Sequence, residues 1–200
     1  MRNPSRRRPL HAVVPSTVLL VSIGLLSGCM AAPAPPNTAA PVAEATGTET
    51  PPVFASNDDA LAAAKAVYTR YLALSDSVES TRSNSWKEYL AMTTGVERTG
   101  LVEGRKLMEE KGWSFTGVAA FDSMTVQSSQ ALADSTWEIR TYLCLDLSAS
   151  DTVDQAGVSV LESERPVRSP MVVVFITLDT NSQQLLISES PIWSGSNFCS

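Results

Sequence analysis

At Gly112 the spacing of apolar residues changes, and that change restricts the fold more than any other feature of the chain. Before it, apolar side chains recur three and four positions apart, the period of one helix face; after it they alternate, the period of a strand. Helices in succession followed by strands in succession cannot build the alternating units of a parallel sheet. The order predicts α+β, with helices laid against a meandering antiparallel sheet.

In the helical half, Ser56-Asn57-Asp58-Asp59 supplies a cap and first-turn acids ahead of ALAAAKAVYTRYLALSDS. Leu61, Ala64, Tyr68, Tyr71 and Leu72 share one face of that helix. A shorter helix around Ser85 to Met92 carries Trp86, Tyr89 and Leu90. A third, Val96 to Lys111, carries Leu101, Leu107 and Met108 and stops at Gly112.

In the strand half, Trp113 to Gln127 reads as one long strand bending at Gly117. Trp137 to Asp146 turns Trp137, Ile139, Leu143 and Leu145 one way and Glu138, Arg140, Tyr142 and Cys144 the other. Met171 to Leu178 is apolar on both faces, as a central strand would be, and Gln184 to Trp193 forms the last strand. The acidic stretch DLSASDTVD, Asp146 to Asp154, resembles the start of a calcium loop. It lacks glycine at the sixth position and glutamate at the twelfth, so a solvated hairpin loop closing through Gly157 is expected, and no metal site.

The N-terminal part has a different composition. Met1 to His11 carries Arg2, Arg6, Arg7 and Arg8 without an acid, and a short apolar run to Leu26 follows, which is the layout of an export signal. The run is too short and wrongly flanked for a membrane-spanning helix. It stops at Leu26-Ser27-Gly28-Cys29, which resembles the lipobox of bacterial lipoproteins. The resemblance implies a diacylglyceryl group on the Cys29 sulfur, cleavage of residues 1–28, and attachment to the lipid bilayer on the extracytoplasmic face. Acyl chains together hold a protein lastingly, where one chain binds only marginally. Ser5-Arg6-Arg7-Arg8-Pro9-Leu10 also resembles the twin-arginine export motif, though Pro9 replaces its Phe and His11 its Lys, and general secretion explains the same residues.

Residues 29–55 are rich in Ala, Pro and Thr and nearly empty of large apolar side chains before Val53 and Phe54, the composition of a disordered tether. Residues 56–200, about 145, are enough for one domain with its own core. Four of the 15 basic residues precede Cys29, so the remainder sets eleven against 21 acids, a formal charge of about −10. A basic nucleic-acid footprint is absent. The one histidine, His11, falls in the signal, which leaves the mature chain without the base of a Ser-His-Asp or Cys-His site and without a His-containing zinc site. No cofactor motif is read.

Once Cys29 is acylated, Cys144 and Cys199 remain. Export and an even remainder favour a disulfide between them, against two buried free thiols. No C-x-x-C spacing marks a redox-active pair.

The element order, with the strings YLCLD and IWSGSNFC, resembles the NTF2-like, cystatin-like cone found in many exported actinobacterial lipoproteins. The resemblance implies N-terminal helices packed on a curved four-stranded antiparallel sheet; members range from isomerases and dehydratases to docking modules, so it scarcely narrows function. Glu138, Arg140 and Tyr142 project together as a ligand-binding trio in such a cone would, or as an exposed sheet face with a cross-strand ion pair. Tyr68, Tyr71, Trp86, Trp113, Trp137 and Trp193 line an apolar pocket or simply fill the core. Two functions follow: a non-catalytic lipoprotein domain that binds an envelope protein or a small apolar ligand, or a small-molecule enzyme of the ketosteroid-isomerase or dehydratase kind using a carboxylate and a tyrosine. What separates them is an acid within reach of a void in the cone, and the strand acids sit at ends or on polar faces.

Overall fold

The computed structural model describes residues 52–78, 82–179 and 181–199, all inside one compact unit, Gly47–Ser200. Cys29, the export signal and most of the tether lie outside the described residues. Helices α1 (Asn57–Ser75), α2 (Asn84–Ala91) and α3 (Gly95–Lys111) precede strands β1 (Ser114–Gly117), β2 (Ala120–Ala131), β3 (Trp137–Asp146), β4 (Ser150–Val153), β5 (Arg168–Thr177) and β6 (Leu185–Glu189). The helices pack on a curved antiparallel sheet of order β2-β3-β5-β6, the α+β arrangement that the change of period predicts.

Ser56 starts α1 by accepting the Asp59 backbone N–H on its hydroxyl at 3.1 Å. The buried face is Ala60, Ala64, Tyr68, Tyr71 and Leu72. Leu61, expected on that face, is only partly buried, so the helix presents two alanines to the sheet and its backbone can approach closely. The folded part also begins a little before Ser56. Phe54 is buried, and the Val53 carbonyl accepts from Gln183 Nε2 at 3.1 Å.

Across the sheet, Ile139 of β3 stands opposite Phe175 of β5, which stands opposite Ile187 of β6. All three are fully buried and form one apolar row under the helices, each contributing about 1.5–3 kcal/mol by leaving water. β5 is buried along most of its length, as expected of a central strand.

Three expectations change. The single strand from Trp113 breaks at Gly117, where φ is +80° and a Cβ would stand 2.1 Å from the Ala149 carbonyl oxygen, so only glycine fits. β1 thereby leaves the main sheet and pairs with β4, which occupies the stretch expected to be a solvated loop. The turn beyond β4 does close near Gly157: Asp154 Oδ1 accepts the Ala156 and Val158 N–H groups at 2.9 Å each. The last strand ends at Glu189. Past that point the chain stays beside β5 as far as Trp193, with Ile192 bridged to Met171 and the Trp193 N–H donating to the Pro170 carbonyl at 2.7 Å, and the Trp193 ring packs on Tyr142 on the face away from the helices. There Cys199 is bonded to Cys144, closing 55 positions of chain and stabilising the fold by about 4 kcal/mol in the chain-entropy account.

Candidate functional site

The helices do not fill the space above the sheet. A cavity of about 340 Å³ lies between α1, α2 and α3 and the ends of β1, β3 and β5. That volume falls in the lower part of the range for small-molecule sites, about 300–1,000 Å³. Its wall is mostly apolar: Tyr68, Tyr71 and Leu72 from α1, Trp86 and Tyr89 from α2, Leu101 and Met108 from α3, and Phe115, Leu145 and Met171 from the strands.

The reason for the void lies in α3. No residue of this helix is buried, and it turns Gly100 and Gly104 to the cavity. A Cβ added at either glycine would meet nothing within 4 Å. Glycine inside a helix costs about 1 kcal/mol relative to alanine, so two of them on one face weaken α3 and leave its side of the cavity unfilled.

One corner of the cavity is polar. The Tyr71 hydroxyl donates to one oxygen of Glu97 and the Ser190 hydroxyl to the other. Tyr71 and Ser190 line the cavity, and Glu97, half-buried in the first turn of α3, stands behind them. Burial pushes the Tyr89 hydroxyl up to about 12. Burial raises Tyr68 and Tyr71 further, and the Glu97 charge adds to the rise at both. All three tyrosines therefore remain neutral in the physiological range. At the other end Arg105 reaches the cavity, with its Nε directed at Glu109 Oε1 at 3.4 Å.

The residues singled out in the sequence do not form one site. Tyr68, Tyr71 and Trp86 come together at the cavity, with Tyr68 and Tyr71 stacked at 5.6 Å between ring centroids. Glu138, Arg140 and Tyr142 lie on the opposite face of β3. There Glu138 and Arg140 form an ion pair at 3.8 Å along one strand, not across two, and Tyr142 meets Trp193 and Phe198 edge-on. Trp137 belongs to the core and donates its indole N–H to Ser129 at 2.7 Å. Among the described residues no group of His, Cys, Asp and Glu side chains could hold a metal ion.

Glu97 is the residue that sequence reasoning missed. Thr94-Gly95-Val96-Glu97 has the form of a capping box, which assigns such a glutamate a purely local role at the helix start. In the fold Thr94 makes no side-chain cap bond, and Glu97 reaches out to α1 and to the end of β6 instead.

No family model matches the chain, and no curated protein matches it. Among solved structures the chain is similar to the intermembrane space region of the chloroplast protein ARC6, at 9% identity and a TM-score of 0.45, over 68% of this chain and 97% of that one. It is similar also to a periplasmic fragment of TraM, at 12% identity and a TM-score of 0.43, over 66% and 95% of the two chains. A third likeness is to Aln2 from a Streptomyces species, at 13% identity and a TM-score of 0.39, over 70% and 92%.

Proposed function

We propose that this protein is an extracytoplasmic lipoprotein, held to the membrane by acylated Cys29, whose folded domain binds a small, mainly apolar ligand. The observation that carries the binding reading is the cavity of about 340 Å³, walled by aromatic and aliphatic side chains and left open by Gly100 and Gly104. The lipobox-like Leu26-Ser27-Gly28-Cys29 supports the anchor. Among the described residues no helix is long and apolar enough to cross a membrane.

The enzyme reading gains a named pair, Glu97 and Tyr71, but the geometry favours binding. Both carboxylate oxygens of Glu97 already accept hydroxyl protons, and Tyr71 gives its proton to Glu97 and not to the cavity. A general base needs an oxygen directed at the substrate.

Gly104→Leu tests the binding reading, since its side chain would enter the void. The neutral fluorescent probe N-phenylnaphthylamine should bind the native chain and lose at least tenfold in affinity to the variant; equal binding by both would sink the proposal. Cys29→Ala tests the anchor: the protein should move from the membrane fraction to the soluble fraction, and continued membrane association would count against acylation.

A further inference from the structure

The polar corner of the cavity has a definite hydrogen-bonding sense. Tyr71 and Ser190 both commit their protons to Glu97, so what they can still offer an occupant is lone pairs. A carboxylate stands directly behind those two oxygens. Beside them lie the rings of Tyr68, Tyr71, Tyr89 and Trp86, whose centroids follow one another at 5.6, 4.7 and 6.1 Å. Aromatic faces carry partial negative charge and attract cations, indole most strongly. The negative charge of Glu97 acts on all three tyrosines of this wall, so its field extends across the aromatic end.

Acceptor oxygens, a carboxylate and four aromatic rings share one preference. At this end of the cavity they favour a donor that carries positive charge, and the O–H groups of Tyr68 and Tyr89 are the donors that compete with it. The opposing charge is Arg105, which lines the cavity between Leu101 and Met108, eight residues further along α3 and about 12 Å from Glu97 at the helical rise; its charge is met by Glu109 at 3.4 Å. The net acidity of the chain, six formal negative charges over its whole length, works in the same direction.

We infer that the cavity selects an amphiphilic monoamine: an apolar body lying along Leu101 and Met108, with a protonated amino group placed between the Tyr71 and Ser190 oxygens and the aromatic rings. This rests on the binding reading above and assigns the chemical class of its ligand. The ammonium donates to the two hydroxyl oxygens, which in turn remain hydrogen-bonded to Glu97, so the charge is neutralised through one intervening hydroxyl on each side.

Octylammonium, octanol and octanoate, equal in chain and different only in head group, test it by calorimetric titration at neutral pH. The full chain carrying Cys29→Ser, which cannot be acylated, is titrated without detergent. Octylammonium should bind about tenfold more tightly than octanol, with octanoate weakest. In Glu97→Gln the ratio of octylammonium to octanol affinity should fall from about ten to about one. Octanol binding as tightly as octylammonium, or octanoate binding tightest, overturns the inference and leaves the apolar cavity as a binding site. Failure of all three to bind overturns the binding reading and the inference with it. The comparison of probes on the unaltered cavity decides the matter even where Glu97→Gln does not fold.

Discussion

Helices α1 and α3 are close in length, 19 and 17 residues, and opposite in their relation to the core. α1 buries two alanines against the sheet and then Tyr68, Tyr71 and Leu72. α3 has no fully buried residue: it packs Leu101 only partly against the core, exposes Val96, Val102 and Leu107, and turns two glycines to an empty volume. What differs is side-chain volume on the inward face: α1 fills the space it covers, whereas α3 spans it. A helix that spans a void is tied down chiefly at its ends, and here the carboxylate of Glu97 joins the first turn of α3 to α1 and to the end of β6.

Equivalent truncations in the two helices should therefore differ sharply. Tyr68→Ala removes a side chain that is 2% exposed and should cost about 3–5 kcal/mol in urea denaturation. Leu107→Ala, at a position 48% exposed on α3, should stay within about 0.5 kcal/mol, and a large loss there would erase the distinction.

Breaking the covalent tie outside both helices comes next. Replacing Cys144 and Cys199 together by Ser should lower stability by about 4 kcal/mol under oxidising conditions, by freeing the tail that holds Trp193 against Tyr142. Because the tail lies on the other face of the sheet, binding at the cavity should persist at temperatures where the variant is folded.

The glycines give a smaller effect of opposite sign. Gly104→Ala should raise stability by about 0.5–1 kcal/mol, since the added methyl meets no atom and the helix gains propensity. A destabilised variant would mean that the wall of α3 is already packed.

The pH dependence sharpens the comparison from the side of α1. Folded-state pKa values raised above the ordinary tyrosine value of 10.0 give stability that is full below that pH and is lost as the pH rises. Alkaline titration should therefore weaken the fold from about pH 10 upward. Tyr71→Phe should make that loss shallower.

Much of the architecture was legible because it is local. The cap at Ser56, the switch of period at Gly112 and the alternation along β3 each depend on residues adjacent in sequence, and each reappears in the structure. β4 was not legible, since Asp151 and Thr152 are held as strand by β1 on one side and by the returning chain at Ser159 and Val160 on the other. The aromatic side of the cavity was half-legible: Tyr68, Tyr71 and Trp86 stood out by their spacing, whereas the void they face did not.

The sequence by itself determined the order of helices and strands, the two faces of β3, and the absence of histidine from residues 56–200. Tertiary structure alone decided which face of β3 looks toward the helices, and it put Glu138, Arg140 and Tyr142 on the side away from the cavity. It also decided the role of Glu97, whose partners lie 26 and 93 positions away in the chain. Periodicity reports what neighbouring residues do together; a cavity is a volume that distant elements leave unfilled, and no local pattern records an absence of atoms.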